Sequence, residues 1–389
     1  MNDFVFHTPT KVFFGRGGEK KVGEILRSYG FSKVLFHYGS GSIKRSGLYD
    51  TVVASLKDAG ISFVELGGVE ANPKVSLARK AAKLAREEKV DLILAVGGGS
   101  AMDGAKAISM ISRNGGVVMD YMPGQARAAE QLTETNPCIC VTTTAGTGSE
   151  ATYFSVITNT KTHEKPGLGC PCMMPVASII DPELMLSLPR GVTAQTGVDV
   201  FFHAMEAYLS TVATPYTEMV SLEAMRLTAQ YLPRVLDHPD DLEARGKMAW
   251  ANTLGGMAIV LAATCGLHAM GHSISGVTDI PHGRALATAA VAFMDYTWDA
   301  DPERYATVAR ILGADPALPD EQAASECGKL MERFLKNSGM QTRLTELNVR
   351  EDQIEEIADV TCSAMAFCMG VTLKKLERAD IVEMLHMSL

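Results

Sequence analysis

The sequence lacks any run of the ~18–20 uncharged apolar residues that a bilayer span requires. Its amino terminus, MNDFVFHTPTK, lacks the apolar core of a secretory signal. Positive charge is in short supply, with 36 Lys and Arg against 45 Asp and Glu and a formal net charge of −9. A chain this acidic does not offer the clustered cations that displace counterions from a nucleic-acid backbone. Cysteine is sparse, eight in 389 residues, and its spacing is not that of a disulfide framework. Cys138 and Cys140 alternate within an apolar run and read as packed strand residues, while Cys170 and Cys172 flank Pro171 in no common zinc or redox spacing. These absences exclude a nucleic-acid binder and a membrane span, and point to a cytoplasmic protein with reduced, mostly buried thiols.

What is present divides the chain near residue 185. Before it, short β-rich runs at 33–38, 90–96, 138–143 and 176–181 alternate with helical patterns at 48–60 and 75–89. That alternation predicts βαβ units and a parallel sheet. After LPRGVT (188–193) the strand signal vanishes, and amphipathic stretches rich in Ala, Met and Leu follow, with turns expected at Pro233, Pro239, Pro281 and near Pro316–Pro319. The expected architecture is therefore α/β plus all-α. A parallel-sheet domain (residues 1–185) is followed by a helical domain (186–389).

Three glycine loops fall in the first half. VDLILAVGGGSAMDGAKAIS is a strand, then Gly97-Gly98-Gly99-Ser100, then a helix. Glycines let a phosphate approach the backbone, and a helix amino terminus offers free N–H groups to an anion. Ser100 and Asp103 have capping-box spacing. The usual dinucleotide fingerprint would want Gly where Met102 stands. A second loop, Thr143 to Ser149, follows another apolar strand, and a third, Gly39-Ser40-Gly41-Ser42, leaves the run KVLFHY. Ligands of open α/β sheets bind at the carboxyl ends of strands, so the three loops together argue for an extended dinucleotide. The third loop carries no acid to hold a ribose 2′-hydroxyl and is followed by Lys44 and Arg45, a pattern that leans toward NADP over NAD.

Histidine is concentrated in the second half. Asp199 and His203 stand four apart, as do His268 and His272, so each pair shares one helix face. Pro281-His282-Gly283 puts a further histidine at a helix start. Asp and His together suit a borderline divalent cation such as Zn²⁺ or Fe²⁺, and an open coordination position would make it a Lewis acid. Glu206, three residues beyond His203, either orients a ligand histidine or is a surface helix charge. His7, His37, His163, His238 and His386 show no grouping.

The motifs GGGSAMDGAK, TTAGTGSE, GVDVFFHAMEAY and GLHAMGHSISGVTDIPHG, in this order and spacing, resemble those of the iron-containing (group III) alcohol dehydrogenases. The likeness runs from TKVFFGRGG to LKKLERADIVEMLHMSL, and HYGSGSIKRSGLYDTV is similar to the butanol dehydrogenase and broad aldehyde reductase branch. The resemblance implies a dehydroquinate synthase-like fold, with a dinucleotide-binding sheet domain and a metal-binding helical domain. It implies Asp199, His203, His268 and His282 as ligands of Fe²⁺ or Zn²⁺, with His272 as the catalytic residue between metal and nicotinamide. It further implies Gly98, Gly99, Ser100 and Asp103 near the pyrophosphate. Thr143, Thr144, Thr147, Thr152 and Lys165 would line the nicotinamide side, and Ser40 and Asn72 would lie near the adenosine end. Pro166 and the Cys-Pro-Cys at 170–172 are not hallmarks of the family. The implied activity is hydride transfer between NAD(P)(H) and a small primary alcohol or aldehyde. Alternatives are a polyol dehydrogenase, a dehydroquinate synthase-like cyclase, which would need grouped basic residues that 195–285 lacks, and a non-catalytic scaffold. A homodimer is the expectation from symmetry base rates.

Overall fold

The computed structural model describes all residues except 1, 2, 123–126, 128–131 and 163. The chain divides into two compact units. One comprises His7–Asn159 and Gly167–Ser187; the other comprises Met1–Phe6, Thr160–Pro166 and Leu188–Leu389.

The first unit is built on a six-stranded sheet: β1 (Lys11–Phe14), β2 (Lys33–Gly39), β3 (Ser62–Val69), β4 (Leu92–Gly97), β5 (Cys138–Thr142) and β8 (Ala177–Ile180). Its strand order is β1-β8-β5-β4-β2-β3 and every pairing is parallel. A separate antiparallel pair joins β6 (Ser155–Val156) to β7 (Gly167–Leu168). Each connection between parallel strands must cross over a face, and helices such as Leu48–Asp58, Val75–Glu87 and Gly99–Asn114 do so. Both faces are thereby covered, which is why the central strands read as unbroken apolar runs rather than alternating ones. In β4, Ile93 and Ala95 pack into one core with Leu35, Cys138 and Cys140. Leu92, Leu94 and Val96 pack into the opposite core with Val34, Phe36, Ile139 and Ile179. Each Leu, Ile, Val or Phe among them contributes about 1.5–3 kcal/mol by leaving water.

The four expected strands are all present, and Cys138 and Cys140 are packed strand residues as read. The edge strands β1 and β3 had no clear signal. Most of their residues are partly or fully exposed, so no apolar run marks them, and Gly67-Gly68 interrupts β3. Four cysteines are buried and four only half-buried, all of them unbridged.

Among the described residues no strand follows β8; the second unit is helical. Its long helices are Arg190–Tyr208, Pro215–Asp237, Leu242–Ala262, Gly266–Thr278 and His282–Thr297. Starts are set by side chains that accept from first-turn amides: Thr214 from Thr217, Asp241 from Ala244, Asp301 from Arg304. Pro281 caps a helix start as read, but Pro233 makes no turn. It lies in the last turn of its helix, where Leu232, Val235 and Leu236 are buried and hold the segment in place despite the missing N–H. No single helix among the described residues is long and apolar enough to cross a membrane.

Candidate metal centre and glycine-loop site

In the helical unit, helix Arg190–Tyr208 presents Asp199 and His203, helix Gly266–Thr278 presents His268 and His272, and His282 opens the next helix. The Oδ1 of Asp199 lies 3.6 Å from His203 Nδ1, 3.5 Å from His268 Nε2 and 3.8 Å from His282 Nε2. One ligand atom from each of Asp199, His268 and His282 lies within 4.8 Å of the others. Two ligands bound about 2.1 Å from one ion at the tetrahedral angle stand about 3.4 Å apart, so these spacings fit the edges of a coordination polyhedron. Asp199 Oδ1 and His268 Nε2 are buried and have no hydrogen-bond partner among the described residues. Buried polar atoms are almost always satisfied, so converging orphans of this kind are what a cation site requires.

Glu206 settles its own alternative: it is fully buried, so it is no surface charge. Its Oε1 accepts from the backbone N–H of Cys265 (2.8 Å) and of His268 (3.0 Å), capping helix Gly266–Thr278, and its Oε2 pairs with His268 Nδ1. The carboxylate therefore holds the proton on Nδ1, so Nε2 is the nitrogen that faces Asp199 and could exchange its own proton for a cation. Burial opposes a charged His268, but the Glu206 and Asp199 carboxylates outweigh it and push its pKa up to about 9. A field that retains a proton so firmly also favours a bound metal cation. Glu206→Gln would place an amide donor against Nδ1–H and favour the tautomer that protonates Nε2. Metal affinity measured by equilibrium dialysis is expected to fall about 10- to 100-fold with the helical content unchanged.

His272 is placed differently. Its Nδ1 donates to the Lys165 carbonyl at 2.8 Å, since a carbonyl only accepts, and Nε2 is left as a base. Burial, followed by the Lys165 ammonium, holds the ring neutral, well below the usual imidazole range. Lys165 itself is buried and lies in the 160–166 segment that belongs to the helical unit. His163 lies outside the described residues.

In the sheet unit, the register pairs Tyr38 with Val96 and Gly97 with Thr142, so β2, β4 and β5 end at one level. Their loops, carrying Ser40, Gly97–Ser100 and Thr143–Thr147, leave that edge together. The connections diverge between β2 and β4, the switch point where open α/β sheets bind nucleotides. Gly97 has φ +155, a conformation that side chains rarely adopt, and the helix begins at Gly99 with Gly98 as its cap. A Cβ on Gly98 would lie 2.7 Å from Thr144 Oγ1, and one on Gly99 would lie 2.5 Å from Thr147 Oγ1. The second loop is thus folded onto the first, and the leading amides of the helix, which have no partner within it, are left to an anion.

The capping-box expectation is overturned. Because the helix starts two residues earlier than a Ser100 cap requires, Ser100 sits inside its first turn and donates to the Ala71 carbonyl (2.6 Å), bringing the neighbourhood of Asn72 to the loop. Asp103 accepts instead from Ser149 Oγ (2.5 Å) and Val156 N (3.0 Å). The residue sequence reasoning passed over is Lys106. It is fully buried, and its Nζ donates to Ser149 Oγ (2.7 Å), Thr152 Oγ1 (3.2 Å) and the Phe154 carbonyl (2.8 Å), 3.8 Å from Asp103 Oδ1. The available signal was an Asp–Lys pair at i, i+3 on a helix with almost no exposed position. Thr152 is buried in this network, whereas Thr143, Thr144 and Thr147 are half-buried at the loop surface.

Comparison with known proteins gives one consistent answer. The family model "Iron-containing alcohol dehydrogenase" matches residues 9–182, and the carboxyl-terminal model of the same family matches 193–389. A "probable NADH-dependent butanol dehydrogenase 1" of Bacillus subtilis is 34% identical over the whole of both chains. A 1,3-propanediol dehydrogenase of Citrobacter freundii is 36% identical, covering 92% of each. A crystal structure of an archaeal halo-thermophilic alcohol dehydrogenase from a Red Sea brine pool superposes with a TM-score of 0.96 at 32% identity, covering 100% of this chain and 99% of that one.

Proposed function

The chain belongs to the iron-containing alcohol dehydrogenase family, and from that premise we propose that it interconverts a small primary alcohol and its aldehyde with a nicotinamide dinucleotide. The observation that carries the reading is the convergence of Asp199, His268 and His282 on one point, with His203 beside them and Glu206 behind His268. Asp199, His203, His268 and His282 would hold the cation, and their N/O donor set suits Fe²⁺ or Zn²⁺. When bound, the cation supplies Lewis-acid polarisation of the substrate oxygen and the dinucleotide supplies the hydride. Everything else is work for side chains of this protein. Glu206 fixes the His268 ring so that one nitrogen always faces the site. His272, neutral and with Nε2 unprotonated, holds or passes the proton that alcohol oxidation releases. Burial of the histidines keeps bulk water from competing with substrate.

Gly98 and Gly99 would leave room for the pyrophosphate, with Ser100 in the same turn and Asp103 fixing the facing Ser149–Val156 segment. Thr143, Thr144, Thr147, Thr152 and Lys165 are assigned to the nicotinamide side, Ser40 and Asn72 to the adenosine end. The absence of an acid in residues 39–42 supports use of NADP(H), and the NADH-dependent relative supports NAD(H). We take the enzyme to use both. A relative acting on a diol extends the substrate reading to short alcohols with a second hydroxyl. The cyclase and scaffold alternatives are not favoured, because the ligand set is intact and the family models match nearly the whole chain. Exposed Phe4, Val5, Phe6 and Met219 in the helical unit support a homodimer, and eight unbridged cysteines support a reducing, cytoplasmic setting.

The test is turnover of butanal with NADH and with NADPH by protein loaded with Fe²⁺, loaded with Zn²⁺ or chelated. Oxidation of both cofactors that disappears on chelation is expected. Failure to oxidise either cofactor, with metal shown to be bound, would overturn the reading.

A further inference from the structure

Two cysteines that the dehydrogenase chemistry does not use stand side by side in the sheet unit. The Sγ atoms of Cys170 and Cys172 are 3.0 Å apart, closer than two unbonded sulfurs in ordinary contact. Both residues are half-buried and the proline between them is exposed, so the pair is open to a small reagent. The chain turns here: Cys170 is extended and the short turn Pro171–Met173 follows it. Proline presets that turn and limits how far the two sulfurs can part. Cys172 is held from outside, its carbonyl accepting from Thr135 Oγ1 (2.7 Å) and its thiol directed at the Leu132 carbonyl (3.6 Å). Cys138 and Cys140 form an instructive contrast. They share the same i, i+2 spacing, but on a fully extended strand, 3.9 Å apart at sulfur and buried. Extension sets their Cα atoms about 6.7 Å apart, near the limit a disulfide can span, and no reagent reaches them.

We propose that Cys170 and Cys172 form a reversible dithiol–disulfide site that exchanges with low-molecular-weight disulfides of the glutathione type. Burial and the neighbouring Cys172 sulfur push the Cys170 thiol up to about 12, so Cys170 keeps its proton and Cys172 attacks first. The Cys172 thiolate forms a bond to one sulfur of the small disulfide, the S–S bond breaks, and one small thiol leaves. Cys170 then gives its proton to solvent and displaces the second small thiol from Cys172, closing the Cys170–Cys172 bond. Two protein thiols are oxidised and one small disulfide is reduced to two thiols. The closed ring spans only three residues, so it removes little entropy from the unfolded chain and adds little stability. That is the character of an exchanging bridge rather than a structural staple.

The experiment equilibrates the full-length folded protein with mixtures of oxidised and reduced glutathione, quenches in acid, alkylates and maps the cysteines by mass spectrometry. The peptide carrying Cys170 and Cys172 is expected to lose two hydrogens and escape alkylation, and to recover both thiols in excess reduced glutathione. Cys138 and Cys140 should remain thiols throughout. In Cys170→Ser the resolving thiol is gone, so a glutathione adduct accumulates on Cys172; in Cys172→Ser, Cys170 stays unmodified. Absence of the two-hydrogen loss across the whole redox range would overturn the proposal. So would an adduct on Cys172 that accumulates equally in the unsubstituted protein and in Cys170→Ser.

Discussion

Replacing His268 by alanine is expected to remove bound metal and lower turnover by on the order of 10³-fold or more, while dinucleotide affinity changes little. The size follows from Lewis-acid stabilisation worth several kcal/mol, at about 1.4 kcal/mol per tenfold in rate. His268 Nε2 lies 3.5 Å from Asp199 Oδ1, and its ring is held in place by Glu206. The variant deletes that nitrogen but keeps the backbone N–H groups of residues 265 and 268 on Glu206, so the helix start is retained. The glycine loops belong to the other compact unit and contain none of the proposed metal ligands. Metal analysis, steady-state rates and fluorescence titration with the reduced dinucleotide separate these effects. A metal-free variant that retained full activity would sink the assignment of His268 as a ligand.

The second large effect is expected from Gly99→Val, which should weaken dinucleotide binding about 10- to 100-fold with metal content unchanged. A side chain here collides with Thr147, whose Oγ1 would lie 2.5 Å from the new Cβ. Overpacking of this kind costs about 1–3 kcal/mol, and the displaced Thr147 loop faces the helix amino terminus that would receive the phosphates. Titration of the apo and metal-loaded protein with reduced dinucleotide reads the result. Unchanged affinity in a folded Gly99→Val protein would mean that the loop is only a tight turn. Together with His268→Ala, the two variants form a crossed pair, since each spares what the other removes.

Much of this was legible from local pattern, because local pattern is where its physical causes lie. A strand buried on both faces is apolar at most positions rather than at alternate ones, and 90–96 and 138–143 announce themselves in that way. Edge strands are not under that constraint: β3, half-exposed and broken by Gly67-Gly68, carries no such signature. A spacing of four on a helix puts Asp199 and His203 on one face whatever surrounds them. Pro233, by contrast, predicts a turn from its own chemistry, and the burial of Leu232, Val235 and Leu236 overrides it.

By itself the sequence determined the class of both halves, the motifs that identify the family, and the residue types able to hold a cation or cradle a phosphate. These depend on periodicity and short spacing, which act within a few residues. Only the tertiary structure decided which groups meet. Asp199 and His282 are 83 positions apart in the chain, yet Oδ1 and Nε2 approach to 3.8 Å. Glu206 remained ambiguous until packing buried it behind His268, and Lys106 acquired a role only once Ser149, Thr152 and Phe154 were folded around it. The reason is that a buried charge is tolerated only where partners from distant segments surround it, and nothing in the local sequence says which partners will arrive.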